Sequence, residues 1–185
     1  MGSGILPTCI YKNKIYFLFG KENEYADTPG WSDFGGGTDN SETHMQTAIR
    51  EGGEELTGFL GSDAELSKLL KKTFHIDYNK YRLHIFKMDY DPLLQKYYNN
   101  NQKFLQKHLD KSIIKKTKIF EKSEIKWICI DNILKMRKEF RSYFQNIIDM
   151  IYNNKSEIYK FINNNSNSNN NSKKNKKNIT RKNKK

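Results

Sequence analysis

Cysteine, proline and, toward the end of the chain, acidic residues are what this sequence has least of. It has 185 residues, with two Cys and three Pro. Cys9 and Cys129 each sit in an apolar stretch, so two buried thiols are expected rather than a disulfide framework. The four His and two Cys show no zinc-ligand spacing. No run approaches the ~20 apolar residues of a membrane-spanning helix, and no membrane partner is expected. Residues 1–7 lack both a basic stretch and a long apolar core, so no signal peptide is expected there. Gly2 would invite myristoylation, but Leu6 stands where that motif needs Ser or Thr. These absences make an intracellular, cytoplasmic location the expectation, or a nuclear one if the basic end acts as an address.

Acid is missing altogether from Asn163 to Lys185, a stretch almost entirely of Asn, Ser, Lys and Arg with eight positive residues. The formal net charge is +12, which leaves about +4 on residues 1–162. So polar a segment cannot bury enough apolar surface to offset its ordering entropy, which predicts a disordered tail over 163–185. Its cations would attract polyanions, RNA included, without sequence preference. A targeting role is the second reading of the tail. Compositional drift is the third, since Asn and Lys are frequent throughout. Oligomeric state leaves no trace in the sequence.

Residues 1–162 read as one domain. Apolar β-formers at 5–10 and 15–19, separated by Tyr-Lys-Asn-Lys, predict a hairpin. Residues 20–33 read as a loop, and Phe34-Gly35-Gly36-Gly37 as a segment that neither a helix nor an ordinary strand interior would choose. Ser41 is the expected cap of a helix over 42–56, with Met45, Ala48, Ile49, Gly52 and Leu56 on its apolar stripe. A short helix is expected over 64–71, and a second hairpin over 72–78 and 81–90. Residues 93–117 read as a polar helical insertion with Leu105, Leu109 and Ile113 on one side. A strand over 124–130 and an amphipathic helix over 138–162 complete the domain. That last helix would use Phe140, Tyr143, Phe144, Ile147, Ile148 and Ile151.

The chemistry concentrates in Arg50-Glu51-Gly52-Gly53-Glu54-Glu55. At about 100° per residue, Glu51, Glu54 and Glu55 fall within an arc of roughly 100°. Three like charges so close repel unless a cation sits among them, and carboxylate oxygens suit hard ions such as Mg²⁺ or Mn²⁺. Arg50 can reach forward to Glu54, or back to Glu42 if the loop folds over the helix start. A Glu-rich helix face is usually just solvated. Yet Gly52 and Gly53 each cost about 1 kcal/mol against Ala, and a solvated helix has no reason to carry them.

These residues resemble the Nudix hydrolase family. The family box runs Gly, five residues, Glu, seven residues, Arg-Glu, two residues, Glu-Glu. Here Gly36, Glu42, Arg50-Glu51 and Glu54-Glu55 hold both long spacings. Trp31-Ser32-Asp33-Phe34-Gly35-Gly36 is similar to the family's lead-in, with Phe34 where it has Pro, and Glu124-Ile125-Lys126-Trp127 to its later strand. Two departures stand out. Gly52 replaces an apolar residue that packs the helix on the sheet, and Gly58 closes the box one residue late.

The resemblance implies an α/β fold, an α/β/α sandwich with a mixed sheet. It implies that Glu51 and Glu55 ligate Mg²⁺ or Mn²⁺, with Glu54 in or just behind the ligand set and the Gly35 carbonyl as a further ligand. Glu42 and Arg50 become a structural pair orienting Glu51. The implied reaction is hydrolysis of a nucleoside diphosphate derivative. Glu54, Glu121 and Glu124 are all candidates for its general base.

Other residues carry open alternatives. Trp31, Phe34, Phe74 and Tyr81 either stack a base or belong to the core. The 93–117 insertion is either a substrate lid or a solvated helix. His75 should face away from Phe74 and is expected to be solvated or packed rather than catalytic, and His44, near the helix start, is expected to be solvated. Three functions remain: a hydrolase of small nucleotides such as ADP-ribose, a dinucleotide or a nucleoside triphosphate; a hydrolase of capped RNA; and a nucleotide-binding module without catalysis.

Overall fold

Lys12 and Asn13, both with positive φ (49° and 61°), close the first hairpin, in the left-handed conformation that two-residue hairpin turns require. The hairpin joins β1 (Gly2–Tyr11) to β2 (Lys14–Glu22). The computed structural model describes residues 1–39, 41–117 and 120–164. Five further strands follow: β3 (Trp31–Ser32), β4 (Phe34–Gly37), β5 (Phe74–Tyr78), β6 (Tyr81–Lys87) and β7 (Lys122–Cys129). They form one mixed sheet in the order β3-β2-β1-β6-β5, with β4 also on β1 and β7 also on β2. The β1–β6 pair is parallel and the other pairs are antiparallel.

Alternation along the strands divides the core in two. Leu6, Phe17, Phe19, Leu83 and Ile85 face one cluster, covered by helices of the C-terminal part. Ile5, Leu18, Phe34 and Phe86 face the other, with Ala48, Leu56, Leu66 and Tyr98 from the helices α1 (His44–Glu55), α2 (Asp63–Leu69) and α3 (Pro92–His108). Helices therefore cover both faces, as the expected α/β/α sandwich requires. Cys9 and Cys129 are both buried and unpaired.

Several expected elements differ. Phe34–Gly37 is a strand, paired with Gly2–Ile5 of β1. Gly35 and Gly36 are there for space. A Cβ on Gly35 would overlap the Tyr81 hydroxyl and Gly4 Cα, and one on Gly36 would lie 2.5 Å from Glu51 Oε1. Part of the expected 20–33 loop is strand as well, because β2 runs on to Glu22 and β3 pairs with it. Thr43, not Ser41, caps α1, because Gln46 lies three residues on and completes a capping box. Glu42 thus lies before the helix. Gly52 is also explained by space, since a Cβ there would overlap Ile5 Cδ1 of β1. The helix packs on the sheet too closely for the apolar side chain usual at this position.

The 93–117 insertion is two helices, α3 and α4 (Lys111–Lys116). Its buried seam is Leu94, Tyr98, Gln102 and Ile114 rather than Leu105, Leu109 and Ile113. The difference comes from the edge strand β7. The Asn99 side chain donates to the Ile125 carbonyl at 3.0 Å and accepts from the Ile125 N–H at 2.7 Å, and Gln95 accepts from the Trp127 N–H at 3.0 Å. Helix α3 thereby covers a sheet edge that would otherwise be open.

The expected 138–162 helix is interrupted. After α5 (Ile130–Ile133) the chain passes through short 3₁₀ turns to α6 (Gln145–Asn153) and then α7 (155–164). Between the turns, the Arg141 N–H donates to the Trp31 carbonyl at 3.0 Å. This extended passage brings Arg141 to the functional site. Tail residues 165–185 lie outside the described residues. Among the described residues no helix is long and apolar enough to cross a membrane.

His84 of β6 is buried (2 % exposed), and its Nε2 has no hydrogen-bond partner. His75 faces it across the β5–β6 pair, with ring centroids 4.7 Å apart, on the side of β5 opposite Phe74. Burial holds the His84 imidazole down to about 4, with His75 and Arg82 adding to the effect. Above pH 6.5 the ring is neutral whether the chain is folded or not. Below it the unfolded chain takes up the proton first, so stability should fall between pH 6.5 and about 4, by roughly 3 kcal/mol in total. Denaturant unfolding across this window should show a smaller loss in His84→Leu than in the parent chain. Equal losses would remove His84 from the account.

Candidate active site

Helix α1 presents its charged residues to the glycine strand β4. Arg50 is the hub. Its Nε and Nη2 donate to the two oxygens of Glu42 at 2.9 and 3.1 Å, a bidentate pair. Nη1 donates to Glu51 Oε1 at 2.7 Å, and Nη2 also reaches the Gly37 carbonyl at 3.0 Å. Glu54 is the weaker contact, 3.5 Å from Nη1. Both open alternatives for Arg50 are therefore realised, with the backward reach to Glu42 dominant. Hydrogen bonds from Arg50 hold the Glu42 carboxyl down at about 2, and the Asp39 N–H and Thr47 hydroxyl add to them.

Glu51 and Glu55 are both buried, at 6 % and 2 % exposed. Glu55 Oε2 accepts from the Gly35 N–H at 2.8 Å, while Lys122 Nζ stands 3.2 Å from Oε1. Burial pushes the Glu55 carboxyl well above the usual range, with Lys122 the strongest pull the other way. Lys122 is fully buried and also contacts Glu22 and Ser32. Burial works against its charge, but Glu55 and Glu22 outweigh it and hold the ammonium above the ordinary lysine range. Arg141 Nη1 donates to Glu22 at 2.8 Å. Tyr81 donates to Asp33 Oδ2 at 2.7 Å, and burial raises the Asp33 carboxyl to about 6.

Glu51 and Glu55 open onto a cavity of about 610 Å³. Gly35, Gly36 and Gly37 form its floor, and Tyr78, Lys80, Tyr81, Glu121, Arg141 and Tyr143 stand among its walls. Hard carboxylate oxygens above a glycine backbone suit Mg²⁺ or Mn²⁺. Mg²⁺ commonly takes only one or two carboxylates and completes its shell from water and substrate phosphate. Among the described residues no three His, Cys, Asp or Glu side chains gather as a cation cage. Glu51 and Glu55 are the side chains of the site that could hold such an ion.

No family model matches the sequence, and no curated protein matches it. Solved structures do. The Ap4A hydrolase of C. elegans, in a binary complex, is 15 % identical and superposes with a TM-score of 0.54, over 87 % of this chain and all of that one. The bifunctional NMN adenylyltransferase/ADP-ribose pyrophosphatase of Francisella tularensis, complexed with AMP and a manganese ion, is 18 % identical with a TM-score of 0.50. That match covers 81 % of this chain and 40 % of the other. A Nudix hydrolase of M. smegmatis, RenU, is 13 % identical over 85 % of this chain, with a TM-score of 0.49. The fold is the Nudix fold.

On this fold the expected site residues separate. Glu42, Arg50, Glu51, Glu55 and Gly35 come together. Glu54 does not line the cavity and is about a third exposed. Glu124 does not line the cavity and pairs with Lys21 at 3.3 Å. Of the three general-base candidates only Glu121 is in the cavity wall. Of the four aromatics, Trp31 and Phe34 are core and Phe74 packs against it, leaving Tyr81 at the cavity. His44 is half-buried rather than solvated, its Nδ1 3.1 Å from the Gly2 carbonyl. Lys122, Glu22, Arg141 and Tyr143 were not foreseen. Nothing in the sequence distinguishes Lys122 from a solvated strand lysine.

Proposed function

We propose that the chain is a Mg²⁺- or Mn²⁺-dependent hydrolase that cleaves a diphosphate linkage in a nucleoside diphosphate derivative. The observation that carries this reading is the Arg50 hub. It grips one oxygen of Glu51 and leaves the carboxylate against Gly36, over the cavity. Glu51 and Glu55, with a glycine carbonyl of β4, would hold the ion. Such an ion supplies neutralisation of the diphosphate charge and Lewis acidity toward a phosphoryl oxygen.

The chain's own residues supply positioning. The Gly35 N–H fixes Glu55, and the Glu42 pair fixes Arg50. Lys80 and Arg141 add positive charge to the walls, where further phosphate oxygens would lie. Tyr78, Tyr81 and Tyr143 offer ring surface to the remainder of the ligand. Glu121, in the cavity wall, would orient or deprotonate a water there. Holding the reacting groups in line is most of what phosphoryl transfer asks of a protein.

The test is turnover by the purified chain. The panel comprises ADP-ribose, dinucleoside polyphosphates, nucleoside triphosphates and capped RNA, each with Mg²⁺ and with Mn²⁺. Release of phosphate-bearing products from at least one of them, dependent on the ion, is expected. No release from any member with either ion would overturn the reading, and a ligand bound but left intact would favour a binding module.

A further inference from the structure

A lysine at the start of β7 lies buried behind Glu55. Lys122 is fully buried, and three features of the fold make room for it. Gly20 leaves space for its stem, since a Cβ there would lie 2.9 Å from Lys122 Cδ. A register shift between Lys21 and Glu22 pairs Glu22 with Lys122 across the β2–β7 ladder. The Ser32 hydroxyl accepts from the ammonium at 2.9 Å. The charge then lies between two carboxylates, Glu22 in contact and Glu55 at 3.2 Å. Arg141 holds Glu22 from the other side at 2.8 Å, and Tyr98 donates to the Glu55 carbonyl at 2.7 Å. Asp33 is the remaining buried acid nearby.

We propose that Lys122 is a tethered counter-cation that competes with a divalent ion for the Glu55 carboxylate, and so sets the cation affinity of the cavity. The inference rests on the reading above, that Glu51 and Glu55 take Mg²⁺ or Mn²⁺. Lys122 does not line the cavity, so it acts through Glu55 as a positioning residue. Two cations cannot share one carboxylate at close range without repulsion, and in a buried setting that repulsion is poorly screened. Glu22 draws part of the Lys122 charge away from Glu55, which gives the two residues opposite effects. Removing Lys122 should strengthen uptake of a divalent ion, and removing the Glu22 charge should weaken it. A purely structural role would make both replacements weaken uptake.

Mn²⁺ binding to the full-length chain, measured by calorimetry at pH 8.5 where protons compete least, separates these cases. Lys122→Met is expected to bind Mn²⁺ tighter by about tenfold, and Glu22→Gln weaker by about fivefold. The rise in melting temperature caused by Mn²⁺ should be larger in Lys122→Met than in the parent chain. Unchanged or weaker binding by folded Lys122→Met overturns the role. If that variant does not fold, Lys122→Gln takes its place, and unchanged or weaker Mn²⁺ binding by it overturns the role; unchanged affinity of Glu22→Gln overturns it as well. Absence of Mn²⁺ uptake by the parent chain would instead overturn the hydrolase reading itself.

Discussion

Glu51→Gln is expected to lower turnover by about a thousandfold while the chain keeps its fold. The replacement conserves size, and the amide oxygen can still accept from Arg50 Nη1, now 2.7 Å from Glu51 Oε1. Arg50 also keeps its bidentate hold on Glu42 and its bond to the Gly37 carbonyl. What disappears is one negative charge at the cavity surface, where the proposed reaction would bring a divalent ion and a diphosphate together. Burial makes that charge count, because Glu51 is 6 % exposed and water screens it little. Glu54→Gln is the contrast. Glu54 does not line the cavity and lies 3.5 Å from Arg50, so its loss should cost less than about tenfold. Turnover across a Mn²⁺ titration, with a thermal melt of each variant, distinguishes loss of ion binding from loss of fold. If Glu51→Gln retains turnover within tenfold of the parent at saturating Mn²⁺, Glu51 is not a ligand.

The α1 side of the site was legible because its signal is local. Fixed spacings carry Arg50, Glu51 and Glu55 onto one helix, with Glu42 just before its start, and helical periodicity needs no tertiary information. The cap was not: Ser41, the expected cap, has no Glu or Gln three residues on, whereas Thr43 has Gln46 and completes a capping box. What could not be read depends on residues far apart in the chain. Gly52 is a glycine because Ile5 of β1 occupies the space beside it. The glycine run of β4 has no strand propensity of its own. Its need for glycine comes from Tyr81 and Glu51, which only the folded sheet brings near. Helix α3 carries two apolar stripes, and the edge of β7 selects the one with Leu94 and Tyr98. Lys122 reads as a solvated lysine until the β2 irregularity turns it inward against Glu22. The walls of the cavity come from the β5–β6 turn and the passage around Arg141, segments without a motif of their own.

Gly35→Ala should be among the most damaging single methyl additions at the glycines of the sheet. Its Cβ would overlap Gly4 Cα and the Tyr81 hydroxyl and stand 2.7 Å from the Ser3 carbonyl oxygen. Two of those three neighbours are backbone of β1, the strand at the centre of the sheet, and cannot swing aside. The third is anchored by its 2.7 Å bond to Asp33 Oδ2. Asp33 is fully buried, and its other oxygen has no partner, so moving Tyr81 away would leave that acid with no side-chain donor on either oxygen. Relief by shifting β4 instead would break the Gly35 N–H bond to Glu55 and displace the carboxylate from the cavity. Overpacking costs about 1–3 kcal/mol, and a buried polar group stripped of its donor costs about as much again. A loss of about 3 kcal/mol or more is therefore expected, read as a lower urea midpoint with an unchanged slope. Gly37→Ala, two residues along the same strand, meets nothing within 4 Å. It should change stability by no more than about 0.5 kcal/mol. Equal midpoints for the two variants would show that β4 has slack against β1, and the close approach that positions Glu55 would have to be abandoned.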